Sequence, residues 1–170
     1  METKKVPILR LTEQDKHELE DTVVAEFSLT IELNNHEIVT LLCSPANLDY
    51  LAIGFLTSEG LLKNKGEIKK LVVDDKRGIA RVTTISTGDA TMSISSNHLI
   101  ASSGGRGSKS SPTLDSSQGK IKSQAQVTPA DIFSLMGEFV QRSSVFKATG
   151  GVHSAALCDK KHILIFNEDI

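Results

Sequence analysis

Between Phe27 and Leu33 the apolar side chains fall on every second residue, Phe27, Leu29, Ile31 and Leu33, with Ser28, Thr30 and Glu32 between them. A period of two puts all four on one face of a strand. Asn34-Asn35 follows, a residue type that tolerates positive φ in a tight turn, and His36 to Cys43 supplies a second apolar run. The pattern predicts a β-hairpin over 27–43 with one face to bury, and such a face needs a cover. The next segment provides one. Ser44-Pro45 offers an N-cap and a first-turn proline, and Leu48, Leu51, Ala52, Phe55 and Leu56 follow at i, i+3, i+4, i+7 and i+8. Gly60 stands where a left-handed cap would end this helix.

Three short β-rich runs come next, Ile68 to Val73, Ile79 to Ser86 and Ala90 to Ser95, broken by Asp74-Asp75-Lys76-Arg77-Gly78 and Thr87-Gly88-Asp89. With the hairpin and helix they predict a small N-terminal α+β domain over 22–100. Residues 1–21 mix charge and polarity without a sustained apolar period and are expected to form a flexible N-terminal arm or a short first element. Residues 101–126 are dominated by Ser, Gly, Lys and Gln, with almost nothing to bury, and read as a flexible loop or linker. A second domain is predicted over 127–170. Thr128-Pro129-Ala130-Asp131 has the form of a capping box with proline at the first helical position. Ile132, Phe133, Leu135, Met136, Phe139 and Val140 form a broad apolar face behind it. After that helix come a glycine pair, an apolar segment to Cys158, a turn at Asp159-Lys160-Lys161 and the strand-like ILIF. One helix and two strands in about 45 residues fall short of a self-sufficient core. The expectation is a truncated domain, part of a longer one.

Composition sets outer limits. The chain has 170 residues, 39% hydrophobic and 24% charged, with a formal net charge of −2, the mixture of a soluble globular protein. That charge gives no overall basic field for nucleic acid or an anionic membrane surface. The N-terminus lacks a signal-peptide apolar stretch, and no window approaches the roughly 18 apolar residues of a membrane span, so a cytoplasmic location is expected. The two cysteines, Cys43 and Cys158, are far apart and form no CxxC. They argue against a disulfide framework or structural zinc, and both read as buried thiols.

Three segments could carry chemistry, and each has a plainer structural alternative. In Thr149-Gly150-Gly151-Val152-His153-Ser154, adjacent glycines let backbone N–H groups approach an anion while His153 donates to a phosphate or shuttles a proton. The same residues equally describe a helix C-terminal glycine cap beside a structural histidine. In Ser102-Ser103-Gly104-Gly105-Arg106-Gly107-Ser108-Lys109, glycines, hydroxyls and two cations suit phosphate, although the spacing is neither a Walker loop nor GxGxxG. A solvated loop has the same composition. Asn167-Glu168-Asp169 ends a strand, where carboxylates can hold a ribose or a guanine edge, and polar strand ends are also commonplace. His17, His36, His98 and His162 are unclustered.

Taken together, SPANLDYLAIGFLTSEGLL, the glycine loop after Ile100, FKATGGVHSAAL and ILIFNEDI resemble the formate dehydrogenase accessory sulfurtransferase family, the FdhD-like sulfur carriers, from about Thr22 to the last residue. The resemblance implies a small α+β unit joined to a cytidine-deaminase-like α/β domain, of which 127–170 would be the beginning, and a homodimer. It implies a protein that accepts sulfur from a cysteine desulfurase as a cysteine persulfide. The sulfur goes to the bis-molybdopterin guanine dinucleotide molybdenum cofactor, which activates formate dehydrogenase. Ser103, Gly104, Gly105, Arg106, Thr149, Gly150, Gly151, His153 and Asp169 would be its cofactor-binding positions here, with Lys109 a further cation for phosphate. No resident metal is expected. The chain departs from the family pattern in one chemical respect: the loop cysteine that bears the persulfide falls at Gly104 or Ser103, and neither residue can hold sulfur. No catalytic residue is therefore assigned. A noncatalytic cofactor-binding chaperone or interaction scaffold is the alternative. Family members continue past the residue corresponding to Ile170 with a Gly-Arg-His-Asn segment.

Overall fold

A computed structural model describes residues 2–85, 98–100 and 123–170. The chain divides into two compact units, one formed by Phe27–Ile121 and the other by Met1–Glu26 with Lys122–Ile170. We number strands β1 to β9 and helices α1 to α3 along the chain.

The Phe27–Ile121 unit follows the hairpin pattern. β3 (Phe27–Leu33) and β4 (His36–Cys43) pair antiparallel across Asn34 and Asn35, whose φ values are 50° and 67°. β5 (Ile68–Asp74), β6 (Ile79–Thr84) and β7 (His98–Ile100) complete a five-stranded sheet in the order β5-β6-β3-β4-β7. β6 runs parallel to β3 and β7 parallel to β4, while β5 and β6 are antiparallel. Leu29, Ile31 and Leu33 are essentially buried, joined in register by Ala80 and Val82 of β6 and by Val39 and Leu41 of β4. α1 (Leu48–Ser58) covers this core with Leu48, Ala52 and Leu56, one residue per turn on a single face. Each large side chain so buried contributes roughly 1.5–3 kcal/mol. The polar residues between them pair with each other: Thr30 Oγ1 lies 3.0 Å from Thr40 Oγ1, and Arg81 Nε donates to Glu32 Oε2 at 2.8 Å.

Two local details differ from the sequence reading. α1 starts at Leu48 behind Asn47, in left-handed backbone at φ 50°, and not at Ser44-Pro45. Ser44 is instead buried, its carbonyl accepting the Ala46 N–H at 2.8 Å, so the Ser-Pro pair forms a turn ahead of the helix. Gly60 does adopt the left-handed conformation expected of it, at φ 72°. The run Ala90 to Ser95 lies outside the described residues.

The second unit begins with a correction. Residues 1–21 were expected to be a flexible arm or a short first element. Instead β1 (Thr3–Leu11) and β2 (Lys16–Val24) form a nine-residue antiparallel ladder, closed by a Thr12–Asp15 turn in which the Asp15 N–H donates to Thr12 Oγ1 at 3.0 Å. Val6 and Ile8 alternate as strand residues should, and Ile8 meets Leu19 across the pair. The charges around them and Pro7, tolerable only at a strand edge, obscured that alternation. Thr22 to Glu26 belong with this hairpin and not with the sheet of the other unit. The remaining elements are α2 (Pro129–Arg142), α3 (Ser144–Thr149), β8 (His153–Cys158) and β9 (Ile163–Asp169). One predicted helix is thus two, separated at Ser143.

The capping box at α2 is present in full. Thr128 N–H donates to Asp131 Oδ2 at 2.8 Å, and Asp131 N–H donates back to Thr128 Oγ1 at 3.2 Å. Hydrogen bonds from the Thr128 N–H and hydroxyl, assisted by Lys160 and Lys161, hold the Asp131 carboxyl below its ordinary 3.8. Asp159 is lowered for the same kind of reason, by the Lys161 and His162 N–H groups. A carboxyl depressed on folding stabilises above its unfolded pKa, and that contribution disappears as pH falls through the folded value.

Two outcomes follow. Thermal stability should be level from neutrality down to about pH 5 and fall below about pH 4; a melting temperature that rises on acidification through that range would contradict it. At Gly78, with φ +65°, an added Cβ would sit 2.2 Å from the Ser28 carbonyl oxygen, whereas at Gly54 in α1 nothing lies within 4 Å. By chemical denaturation Gly78→Ala should cost at least about 2 kcal/mol and Gly54→Ala should gain about 1 kcal/mol.

Candidate functional site

β8 and β9 pair antiparallel, with His153 opposite Asp169, Ser154 opposite Glu168 and Ala155 opposite Asn167. This register joins two segments that are separate in sequence. Strand alternation then sorts them by face. His153, Ala155 and Leu157 share one face with Asp169, Asn167 and Ile165, while Ser154 and Ala156 share the other with Glu168 and Phe166.

The second face carries the helices. Phe139 of α2 meets Phe166 edge to face, with ring centroids 5.3 Å apart and planes at 75°. Ser143, buried at the break between the helices, donates its hydroxyl to the Phe139 carbonyl at 3.0 Å and lies 3.4 Å from Ser154 Oγ. Glu168 reaches α3, accepting the Val145 and Phe146 N–H groups at 3.0 Å each. Farther along, Ile132, Leu135, Met136 and Phe139 of α2 form an apolar groove of about 240 Å³ with Ala156 and Cys158.

On the first face His153 and Asp169 lie opposite each other at one end of the sheet, next in the chain to the predicted residues Thr149, Gly150 and Gly151, which end α3 and lead into β8. α3 ends in Gly150 at φ 64°, and its N–H donates to the Phe146 carbonyl at 2.7 Å. Thr149 Oγ1 donates to the Val145 carbonyl at 2.8 Å and accepts the Gly151 N–H at 3.1 Å. Gly150 is therefore a helix cap, the plainer of the two readings of this segment. Both glycine N–H groups have acceptors in the chain, so a ligand anion gains the Gly151 donor only by displacing Thr149 Oγ1. His153 is exposed, unlike a buried structural histidine, and Asp169 is half-buried beside it, with Oδ1 accepting the Ile170 N–H at 2.9 Å. A carboxylate acceptor and an exposed imidazole on one sheet face, beside a glycine turn, form a polar site suited to a ligand with both donors and an anionic group.

Ser103, Gly104, Gly105, Arg106 and Lys109 lie outside the described residues. Cys43 is buried as expected, but Cys158 is exposed, because it ends β8 at the rim of the groove, where a register shift separates it from Leu157. Among the described residues no group of three His, Cys, Asp or Glu side chains is arranged to hold a metal, and no helix is long and apolar enough to cross a membrane. Glu168 escaped the sequence reading as a helix-holding residue. Its partners lie 22 and 23 positions away, and nothing local marks them.

The model of the FdhD/NarQ family matches residues 24–170, and the chain belongs to that family. It is 35% identical over 164 residues to the sulfur carrier protein FdhD of Bacillus subtilis, covering 96% of this chain and 63% of that relative. To the protein of the same name from Bacillus licheniformis it is 37% identical over 152 residues, 89% of this chain and 58% of that one. The chain thus spans under two thirds of the length of these curated relatives. The crystal structure of a putative formate dehydrogenase accessory protein from Desulfotalea psychrophila shares the fold. Its TM-score is 0.75 at 18% identity, over 99% of this chain and 63% of that one.

The two glycines should respond differently to substitution. Gly150→Ala meets no atom within 4 Å and costs only its positive φ, about 1 kcal/mol. Gly151→Ala would bring a Cβ to 3.1 Å from Val24 Cγ1 of β2. Its cost, of about 1 kcal/mol, should be partly relieved in a Val24→Ala background, while that of Gly150→Ala should not. Equal coupling of both glycines to Val24 in a double-mutant cycle would refute this account.

Proposed function

We propose that this chain is the cofactor-binding part of a formate dehydrogenase accessory protein, and that its cargo is the bis-molybdopterin guanine dinucleotide molybdenum cofactor. The observation that carries this reading is the register that sets His153 opposite Asp169 beside the Thr149-Gly150-Gly151 turn, in a member of the FdhD/NarQ family. The guanine dinucleotide end of the cargo has the right groups for it. The Asp169 carboxylate accepts from a guanine edge or from ribose hydroxyls, the His153 ring donates to a phosphate, and the glycine turn lets the ligand approach the backbone closely. Ser103, Gly104, Gly105, Arg106 and Lys109 would contribute further phosphate contacts. The partners in this reading are a cysteine desulfurase, formate dehydrogenase and a second copy of the chain, in the cytoplasm, and residues 127–170 belong to a cytidine-deaminase-like domain.

Sulfur carriage is a separable claim. A persulfide needs an accessible thiolate. The segment 101–126 contains no cysteine, Cys43 is buried, and the exposed Cys158 ends β8 at the opposite end from His153. That observation favours a second reading, a cofactor-binding chaperone that does not itself hold sulfur.

GDP tests the binding claim. Saturable binding is expected, and Asp169→Asn should weaken it about tenfold, since one acceptor then replaces two and the charge is lost. Absence of saturable binding at millimolar GDP would sink the reading. Incubation with a cysteine desulfurase and sulfur-labelled cysteine separates the two versions: label retained on the protein identifies a carrier, and label that never transfers identifies a chaperone.

A further inference from the structure

α3 has six residues, too few to hold its own shape, because nucleating a helix costs more than one or two turns return. Its first turn is held from outside. Glu168 Oε2 and Oε1 accept the Val145 and Phe146 N–H groups, two of the donors that a helix start leaves without intrahelical partners. The carbonyls of the same two residues hold the other end of the helix: Val145 accepts Thr149 Oγ1, and Phe146 accepts the Gly150 N–H. Thr149 Oγ1 in turn takes the Gly151 N–H. An unbroken series of hydrogen bonds therefore runs from Glu168 through Val145 and Phe146 to Thr149, Gly150 and Gly151.

Glu168 also neighbours Asp169 in β9, and strand alternation sends their side chains to opposite faces. One strand thus presents Asp169 beside His153 on one face and grips the helix that carries the glycine turn on the other. We propose that Glu168 is a positioning residue for the ligand site, fixing the Thr149-Gly150-Gly151 turn relative to the His153–Asp169 pair. The proposal rests on the ligand reading of that site. It makes no use of the Glu168 charge at the ligand; both carboxylate oxygens are taken up by backbone donors on the opposite face.

The sign of the effect separates position from charge. If Glu168 positions the turn, Glu168→Ala weakens GDP binding about tenfold or more, and Glu168→Gln, which keeps one acceptor oxygen, recovers part of the loss. If Glu168 were only a negative charge near an anionic ligand, both variants would bind GDP more tightly than the parent, and the proposal would be overturned. Amide hydrogen exchange supplies the second readout. Gly150 should exchange faster in Glu168→Ala while the β8–β9 ladder amides stay protected; should the alanine variant lose that ladder, the comparison passes to glutamine. Unchanged GDP affinity in a folded variant overturns the proposal. Failure of the parent chain to bind GDP removes the ligand reading, and Gly150 exchange then decides alone: acceleration upholds Glu168 as the residue that holds the turn, and an unchanged rate overturns it.

Discussion

The unit formed by the two ends of the chain is short of apolar burial, and its organisation depends on that shortage. Its buried hydrophobic residues among those described are Val145, Val152 and Ile163, whereas the other unit buries a continuous cluster from Leu29 through Val82. At roughly 25 cal/mol per Å² of apolar area, so small a core offsets little of the entropy lost in ordering α2, α3 and the β8–β9 pair. What the core does not supply, other contacts do. The β1–β2 hairpin joins the unit, and Val24 packs closely against Gly151, where an added Cβ would lie 3.1 Å from Val24 Cγ1.

Polar ties perform the rest of the fixing, and they concentrate around the candidate site. Ser143 links α2 to β8, Glu168 links β9 to α3, and Thr149 closes the end of α3. A hydrogen bond of this kind contributes only about 1 kcal/mol net, more where one partner is charged. Its geometry is narrow, however, and a set of such bonds places a turn more sharply than non-directional apolar contact would. A thin core with directed ties suits a segment that must hold a glycine turn and two strand ends in one arrangement.

Much of the Phe27–Ile121 unit was legible because its signals are local. Alternation at Phe27–Leu33 and positive φ at Asn34 and Asn35 need no partner from elsewhere, and neither does the reciprocal box at Thr128 and Asp131 in the other unit. The misreadings share the opposite character. The N-terminal ladder was hidden because its weak apolar alternation is supported by a unit whose other members begin more than a hundred residues later. Cys158 was read as buried from its apolar neighbours, but a strand end beside an open groove exposes it. Ser143, at the break between the helices, has a partner in Ser154 of β8, and Glu168 has its partners on a helix 22 residues upstream. For the site, sequence physics named Thr149, Gly150, Gly151, His153 and Asp169 without joining them. The strand register joins His153 to Asp169, and the end of α3 shows that Gly150 serves first as a cap.

This division of labour bears on what family membership carries over. The proposed binding of a guanine dinucleotide needs a carboxylate, a donor and a close backbone approach; Asp169 and His153 share one face at the end of the β8–β9 pair, and the glycine turn precedes β8. Carrying sulfur needs a thiolate that a donor enzyme can reach. Cys43 is buried in the core cluster of the other unit, and Cys158 lies at the far end of β8 from His153, on the groove side of the sheet. His153 of the proposed site and the accessible thiol of Cys158 therefore belong to opposite ends of one strand. Sulfur held at Cys158 would have to travel the length of β8 and change faces to reach a cargo held at His153 and Asp169. For the described residues, then, the proposed cofactor binding and the delivery of sulfur from Cys158 are separate requirements, and the strand that would serve the first keeps the thiol away from it.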